Sequence, residues 1–138
     1  RLPEVLIKIS QICESYGLTV ANIFHAGDGN LHPLVLYDVN DPEQLQKAED
    51  CGADILRLCV EVGGCLTGEH GVGIEKRDLM PAMFSEDDLK QQQRVKCAFD
   101  GKHLHKPGRV FPVLHRCAEL GRMHVHAGAL PFPDIPRF

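Results

Sequence analysis

The sequence predicts an α+β fold, an antiparallel sheet with helices packed on one face. Three observations carry that expectation. Apolar residues recur at helical spacing over residues 2–16 and again over 42–62. Between them lie two runs rich in β-branched and aromatic residues, LTVANIFHA at 18–26 and LHPLVLYDV at 31–39. Only the turn formers GDGN separate these runs, too few residues for a parallel crossover, so the two strands must run antiparallel.

Taken in order, residues 2–16 place Leu2, Val5, Leu6, Ile9, Ile12, Cys13 and Tyr16 on one helical face, and Gly17 ends the helix. The hairpin follows. Asp41 then Pro42 reads as an N-cap with a first-turn proline. The helix they start should reach about Val62, with Leu45, Ala48, Gly52, Ile55, Cys59 and Val62 inward and Gly63 and Gly64 as its stop. The piece CLT at 65–67 reads as a short third strand leading into GEHGVG. Ser85 with an acid three residues on, Asp88, marks a capped helix that ends near Phe99. Asp38, Asp41 and the acids at 86–88 read as turn and cap residues. From Asp100 to Phe138 five prolines, Pro107, Pro112, Pro131, Pro133 and Pro136, predict an extended tail that must pack on something to be ordered. Such a fold is about half of a comfortable two-layer domain, and its short sheet leaves an edge in want of a partner.

At 138 residues, 43% apolar and 25% charged, the composition is that of a modest globular domain or a piece of a larger protein. A net charge of −4 without a basic stripe excludes a nucleic-acid surface. No run is long enough to span a membrane, and no signal-peptide pattern is present. Six scattered cysteines, Cys13, Cys51, Cys59, Cys65, Cys97 and Cys117, form no C-x-x-C pair and read as free thiols of a reducing cytoplasm. The eight histidines are unevenly placed.

Two of them bracket the hairpin turn in HAGDGNLH at 25–32. With Gly27 to Asn30 as the loop, Ala26 faces Leu31 and His25 faces His32. Directly opposed side chains are rooted about 4.5–5.5 Å apart on one face, so both imidazoles reach one point. The glycines supply positive φ angles, Asp28 and Asn30 suit the turn, and Asp28 is placed to orient an imidazole. The second cluster is TGEHGVG at 67–73. Glu69 and His70 are neighbours, which a regular strand would send to opposite faces. Glycines at 68, 71 and 73 free the backbone to aim both inward or admit a flat ligand. Two histidines and a carboxylate make a divalent-metal site with open positions, with His70 beside it as a base. The bland reading is a polar turn and a flexible loop, and the spacing leaves the chemistry undecided.

Taken together, HAGDGNLH, GGCLTGEHGVGIEKRDLM and FDGKHLHKPGRVFP resemble the C-terminal half of FAD-linked 2-hydroxyacid oxidases and dehydrogenases of the vanillyl-alcohol-oxidase type. The tail LHRCAELGRMHVHAGALPFPDIPRF is similar to the end of the flavin subunits of bacterial glycolate oxidases, so the resemblance covers essentially the whole chain. It implies a partial cap domain at 1–99, ferredoxin-like and lying over the flavin, followed by the tail at 100–138. It implies His25, His32 and Glu69 as ligands of a divalent metal, zinc or manganese, and His70 as the catalytic base. It implies FAD as cofactor, contacted by Asn30, Lys106 and Gly108 but bound mainly by a domain absent here. The implied reaction oxidises a 2-hydroxy acid of the glycolate or D-lactate kind to a 2-oxo acid. The implied partners are a flavin-binding domain or subunit and an iron-sulfur electron-transfer subunit, with a cytoplasmic place that those subunits bring to the inner membrane. The sequence departs from the family pattern at Gly101, where a proline is usual, at His105, where an apolar residue is usual, and at Lys106, where an asparagine is usual. No G-x-G-x-x-G follows a strand and opens a helix, so the segment offers no dinucleotide fingerprint of its own.

Two other readings stand beside this one. The same three ligands would serve a flavin-independent metal hydrolase or lyase, with water at the open position. A non-catalytic remnant or assembly module would keep the fold and the metal without turnover. His124 and His126 alternate and would share a face in a strand, most simply as surface or packing residues. Lys76 and Arg77 read as an anion contact or as a solvated helix start.

Overall fold

A computed structural model describes residues 1–102 and 104–112, and every structural statement below concerns them. The predicted tail beyond 112, with Cys117, His124 and His126, lies outside the described residues. The elements are α1 (Leu2–Ser15), β1 (Thr19–His25), β2 (Asn30–Leu36), α2 (Pro42–Glu61), a 3₁₀ turn (Arg77–Leu79), α3 (Met80–Met83) and α4 (Glu86–Phe99). The architecture is α+β: β1 and β2 pair antiparallel, and α1 and α2 pack on one face of the hairpin. No helix among the described residues is long and apolar enough to cross a membrane.

Each helix begins and ends where local chemistry satisfies its orphan groups. The Asp41 carboxylate accepts from the N–H groups of Glu43 and Gln44, and Pro42 occupies the first turn of α2. Ser85 and Asp88 form a reciprocal capping box at the start of α4. Both α1 and α2 end in paired backbone bonds around a left-handed glycine. Leu18 N–H bonds Cys13 O while Gly17 N–H bonds Glu14 O, and Gly64 N–H bonds Cys59 O while Gly63 N–H bonds Val60 O. A Cβ on Gly64 would lie 2.8 Å from Cys59 O, so only glycine fits there.

The core joins α1, α2 and the inner face of the hairpin. Val5, Ile9 and Cys13 of α1 are buried against Cys51, Ile55 and Leu58 of α2, with Val20, Leu31 and Val35 of the sheet packed on them. The Cys13 and Cys51 sulfurs touch at 3.4 Å, and burial first, then the Cys13 contact, pushes the Cys51 thiol up to about 12. Tyr16 Oη donates to Asp54 at 2.7 Å and ties the end of α1 to α2. The α2 stripe differs from the expected one. Leu45 is 37% exposed, whereas Cys51 and Leu58 are buried. Apolar residues line two overlapping faces of this helix, and the contacts with α1 select the face that carries 51, 55 and 58.

Two further expectations are corrected. Residues 65–67 do not form a strand. Instead the Cys65 thiol donates to Thr67 O and the Thr67 hydroxyl accepts from Gly71 N–H, local bonds that replace a ladder. Cys13, Cys51, Cys59 and Cys65 are free as expected, but Cys97 is disulfide-bonded. The 3₁₀ turn and α3 carry no periodic signal in the sequence because each is too short to show one.

Asp100 closes α4. It accepts from the Lys96 ammonium and from the N–H groups of Leu104 and His105, and the Lys96 bond foremost holds its carboxyl below the ordinary range. The Ser85 hydroxyl does the same for Asp88. A lowered folded pKa contributes stability that is present above the unfolded value, about 3.9, and is lost as pH falls through the folded value. The urea midpoint, read by circular dichroism, should therefore fall as pH drops below about 4. Asp88→Asn with Asp100→Asn should flatten that fall.

Candidate metal centre

The hairpin turns one residue earlier than its spacing suggests. The loop is Ala26–Gly29, so His25 pairs with Asn30 and Ile23 pairs with His32. His25 and His32 are therefore not directly opposed. The His25 carbonyl accepts from Asp28 N–H at 3.1 Å and Gly29 N–H at 3.0 Å, and Gly29 alone in the loop takes a positive φ, 68°. Moving the loop by one residue changes the pairing by two, and side chains alternate with a period of two. Both histidines thus stay on one face, as diagonal neighbours. Their ring centroids are 5.4 Å apart and their planes 83° apart. That face is the outer one, shared with exposed Ile23, Leu34 and Leu36. Asp28 is exposed at the loop, and among the described residues it makes no hydrogen bond to either imidazole, contrary to the orienting role expected for it.

The loop after α2 brings the acid to this face. Leu66, 1% exposed, anchors it. The Thr67–Gly71 bond bends it, with Gly71 at a φ of 82° and Gly73 at 62°. Glu69 Oε1 lies 3.4 Å from His32 Nε2 and 3.1 Å from His70 Nε2. Glu69 Oε2 accepts from the Asn30 side-chain amide at 3.2 Å. One donor atom each from His25, His32 and Glu69 lie within 4.8 Å of one another. An ion bound at about 2.0–2.2 Å needs ligand atoms roughly 3–3.5 Å apart. The His32–Glu69 pair already has that spacing, and side-chain rotations of about an ångström close the rest. Two imidazoles and one carboxylate suit zinc or manganese chemically, and three ligands leave positions open for substrate or water. The His70 ring, 73% exposed, sits 5.5 Å from the His32 ring at the rim of this cluster. An open cleft of about 1500 Å³ runs from His32, Glu69 and His70 along β2 to α2, past Val35, Ala48 and Leu56.

Of the remaining sequence candidates, Asn30 joins the cluster, while Lys106 and Gly108 do not line the cleft. Their segment is fastened to the end of the glycine loop and to the 3₁₀ turn after it. Arg77 donates to Gly108 O at 3.0 Å, and Val110 N–H donates to Gly73 O at 2.8 Å. Val110 does so at a φ of 74°, uncommon for a β-branched residue. Arg77 is thus engaged by Gly108 and by Asp78, which raises its pKa, so it is neither an open anion site nor a merely solvated residue. Thr67 and Arg77 were not singled out from the sequence as supports of the site. A hydroxyl four residues before a glycine is a detectable signal for the first, but the second rests on a contact across 31 residues.

The fold and the site together define an α+β segment that carries a histidine–histidine–carboxylate cluster on the outer face of its hairpin. Residues 1–110 match the family described as FAD linked oxidases, C-terminal domain, and the chain belongs to that family. Among curated relatives it is 54% identical, over 137 residues, to the glycolate oxidase subunit GlcD of Escherichia coli (strain K12), which covers 99% of this chain and 28% of that protein. It is 33% identical over 103 residues to GlcD of Bacillus subtilis (strain 168), covering 75% of this chain and 22% of that one. It is 31% identical over 113 residues to the mitochondrial D-lactate dehydrogenase [cytochrome] of Kluyveromyces lactis, covering 82% of this chain and 19% of that one. The chain therefore spans between a fifth and just over a quarter of the length of these relatives.

Proposed function

We propose that this segment is the metal-bearing, proton-accepting part of an FAD-dependent oxidase or dehydrogenase that converts a 2-hydroxy acid of the glycolate or D-lactate kind to its 2-oxo acid. The observation that carries the reading is the approach of His25, His32 and Glu69 to within 4.8 Å, in a chain of the FAD-linked family. His25, His32 and Glu69 would hold a divalent ion, zinc or manganese. When bound, such an ion polarises oxygens and lowers the pKa of a hydroxyl. FAD, held mainly by a flavin-binding domain or subunit that works with this segment, supplies the hydride acceptor.

The chain's own groups do the rest. His70 takes the substrate hydroxyl proton in this reading, its imidazole standing at the rim of the cluster 5.5 Å from the His32 ring. The 3.1 Å contact of its Nε2 with Glu69 Oε1 is one in which the imidazole donates, so the ring turns from the carboxylate to the substrate hydroxyl to act as base. Exposed Ile23 and Leu34 make the surroundings of the cluster apolar, which favours a small substrate with few polar groups beyond its acid and hydroxyl. Lys106 and Gly108 belong to the flavin side in this reading, and Asn30 meets the flavin from the metal cluster, where its amide bonds Glu69. GlcD is named a subunit, which supports partner subunits for the working enzyme. In our reading one of them is an iron-sulfur electron-transfer subunit, and the partners bring a cytoplasmic enzyme to the inner membrane.

An exchange tests the reading. The matching C-terminal segment of Escherichia coli GlcD is replaced by this chain, and anaerobic bleaching of the flavin is followed after glycolate or D-lactate is added. The hybrid should be reduced. His70→Ala in the hybrid should slow reduction by about 10²–10⁴-fold with flavin content unchanged. Undiminished reduction in that variant would remove the base role. Undiminished reduction after His25→Ala and His32→Ala together would remove the metal.

A further inference from the structure

We infer that Asn30 is a positioning residue that fixes Glu69 as a one-oxygen ligand, and that residue 68 is glycine because this contact needs the space. The inference rests on the metal reading above. Two independent observations meet at the same atoms. The Asn30 amide donates to Glu69 Oε2 at 3.2 Å, joining the closing pair of the hairpin to a loop 39 residues away. A Cβ built on Gly68 would lie 2.1 Å from Asn30 Oδ1 and 2.6 Å from its Cγ, closer than side chains approach. Gly68 does not use a positive φ, so a larger residue would meet no backbone strain there; its Cβ would instead push the Asn30 amide out of this position. The orientation of the amide follows from chemistry: a carboxylate only accepts, so Nδ2 must face Glu69 and Oδ1 must face Gly68.

The consequence for the acid is specific. A free glutamate rotates about three bonds and can offer both oxygens to an ion. Here Oε2 is engaged by Asn30, and Oε1 is the oxygen turned toward His32 and His70. The hairpin thus delivers His25 and His32 directly and Glu69 through Asn30, so one turn aims all three groups. Outer partners of this kind alter metal affinity without touching the ion.

The test titrates the 138-residue chain with Zn²⁺ against a chromophoric chelator, and with Co²⁺ for its visible spectrum. Asn30→Ala should weaken Zn²⁺ binding by about 10–100-fold and change the Co²⁺ bands, with the far-ultraviolet dichroism retained. Gly68→Ala should weaken binding similarly in the native background, yet add little once Asn30 is alanine, because the clash is then gone. If Asn30→Ala fails to fold, Asn30→Ser, too short to reach the carboxylate, takes its place. Equal Zn²⁺ affinity and identical Co²⁺ bands in native and Asn30 variants would overturn the positioning role while leaving the metal site standing. An equal effect of Gly68→Ala in both backgrounds would overturn the clearance argument. Absence of Zn²⁺ binding by the native chain would overturn the metal reading and this inference with it.

Discussion

Replacing His32 by alanine should weaken Zn²⁺ binding by the chain more than about 100-fold, beyond the 10–100-fold typical of an outer partner. His32 is the middle member of the cluster. Its Nε2 lies 3.4 Å from Glu69, and its ring lies between those of His25 and His70. Removing it leaves one imidazole and one carboxylate, donated by elements that no longer share a neighbour. The fold should not follow. His32 points from the outer face of the hairpin, away from the α1–α2 core, so the far-ultraviolet dichroism and the urea midpoint should be nearly unchanged without metal. With metal, the native chain should gain stability that the variant lacks, since an ion that binds only the folded state stabilises it by mass action. Equal affinity in the two proteins would remove His32 from the site.

The second large effect lies in the core. Ile9→Ala should destabilise the chain by about 2–5 kcal/mol, the range for truncating a buried aliphatic side chain, and lower its melting temperature by roughly 10 °C or more. Ile9 is fully buried and faces both α2 and the hairpin. The described sheet has only two strands, so few other apolar groups share the task of holding the helices to it. Ile7, two residues away on the same helix, is 59% exposed, and Ile7→Ala should change stability by no more than about 0.5 kcal/mol. Similar losses at the two positions, read by thermal and urea unfolding, would mean that the assigned core face of α1 is wrong.

These elements differ in how far the sequence discloses them. The faces of α1 are legible because apolar residues at 5, 9 and 13 repeat at helical spacing and no competing stripe exists. On α2 two stripes overlap, and only the packing against Cys13 and Tyr16 chooses between them. Cap residues at 41, 85 and 88 are local chemistry and are read directly. The convergence of His25 and His32 was legible through an inexact register, because a shift of two in the pairing preserves the face on which a side chain stands. A shift of one would have hidden the site. The Glu69 approach was suggested by the glycines around it, but its bond to Asn30 depends on two segments meeting and leaves no periodic trace. The third strand failed for the same reason: a strand exists only where a neighbour pairs with it, and Thr67 found its partner locally.

X-ray absorption at the zinc edge of the Zn²⁺-loaded chain tests the central claim most directly. The account predicts one ion per chain with only nitrogen and oxygen neighbours at about 2.0–2.2 Å, and the outer-shell scattering of two imidazoles. One imidazole should vanish from that signal in either His25→Ala or His32→Ala. A sulfur neighbour at about 2.3 Å, which would direct attention to exposed Cys65, or a signal indifferent to both substitutions, would contradict it.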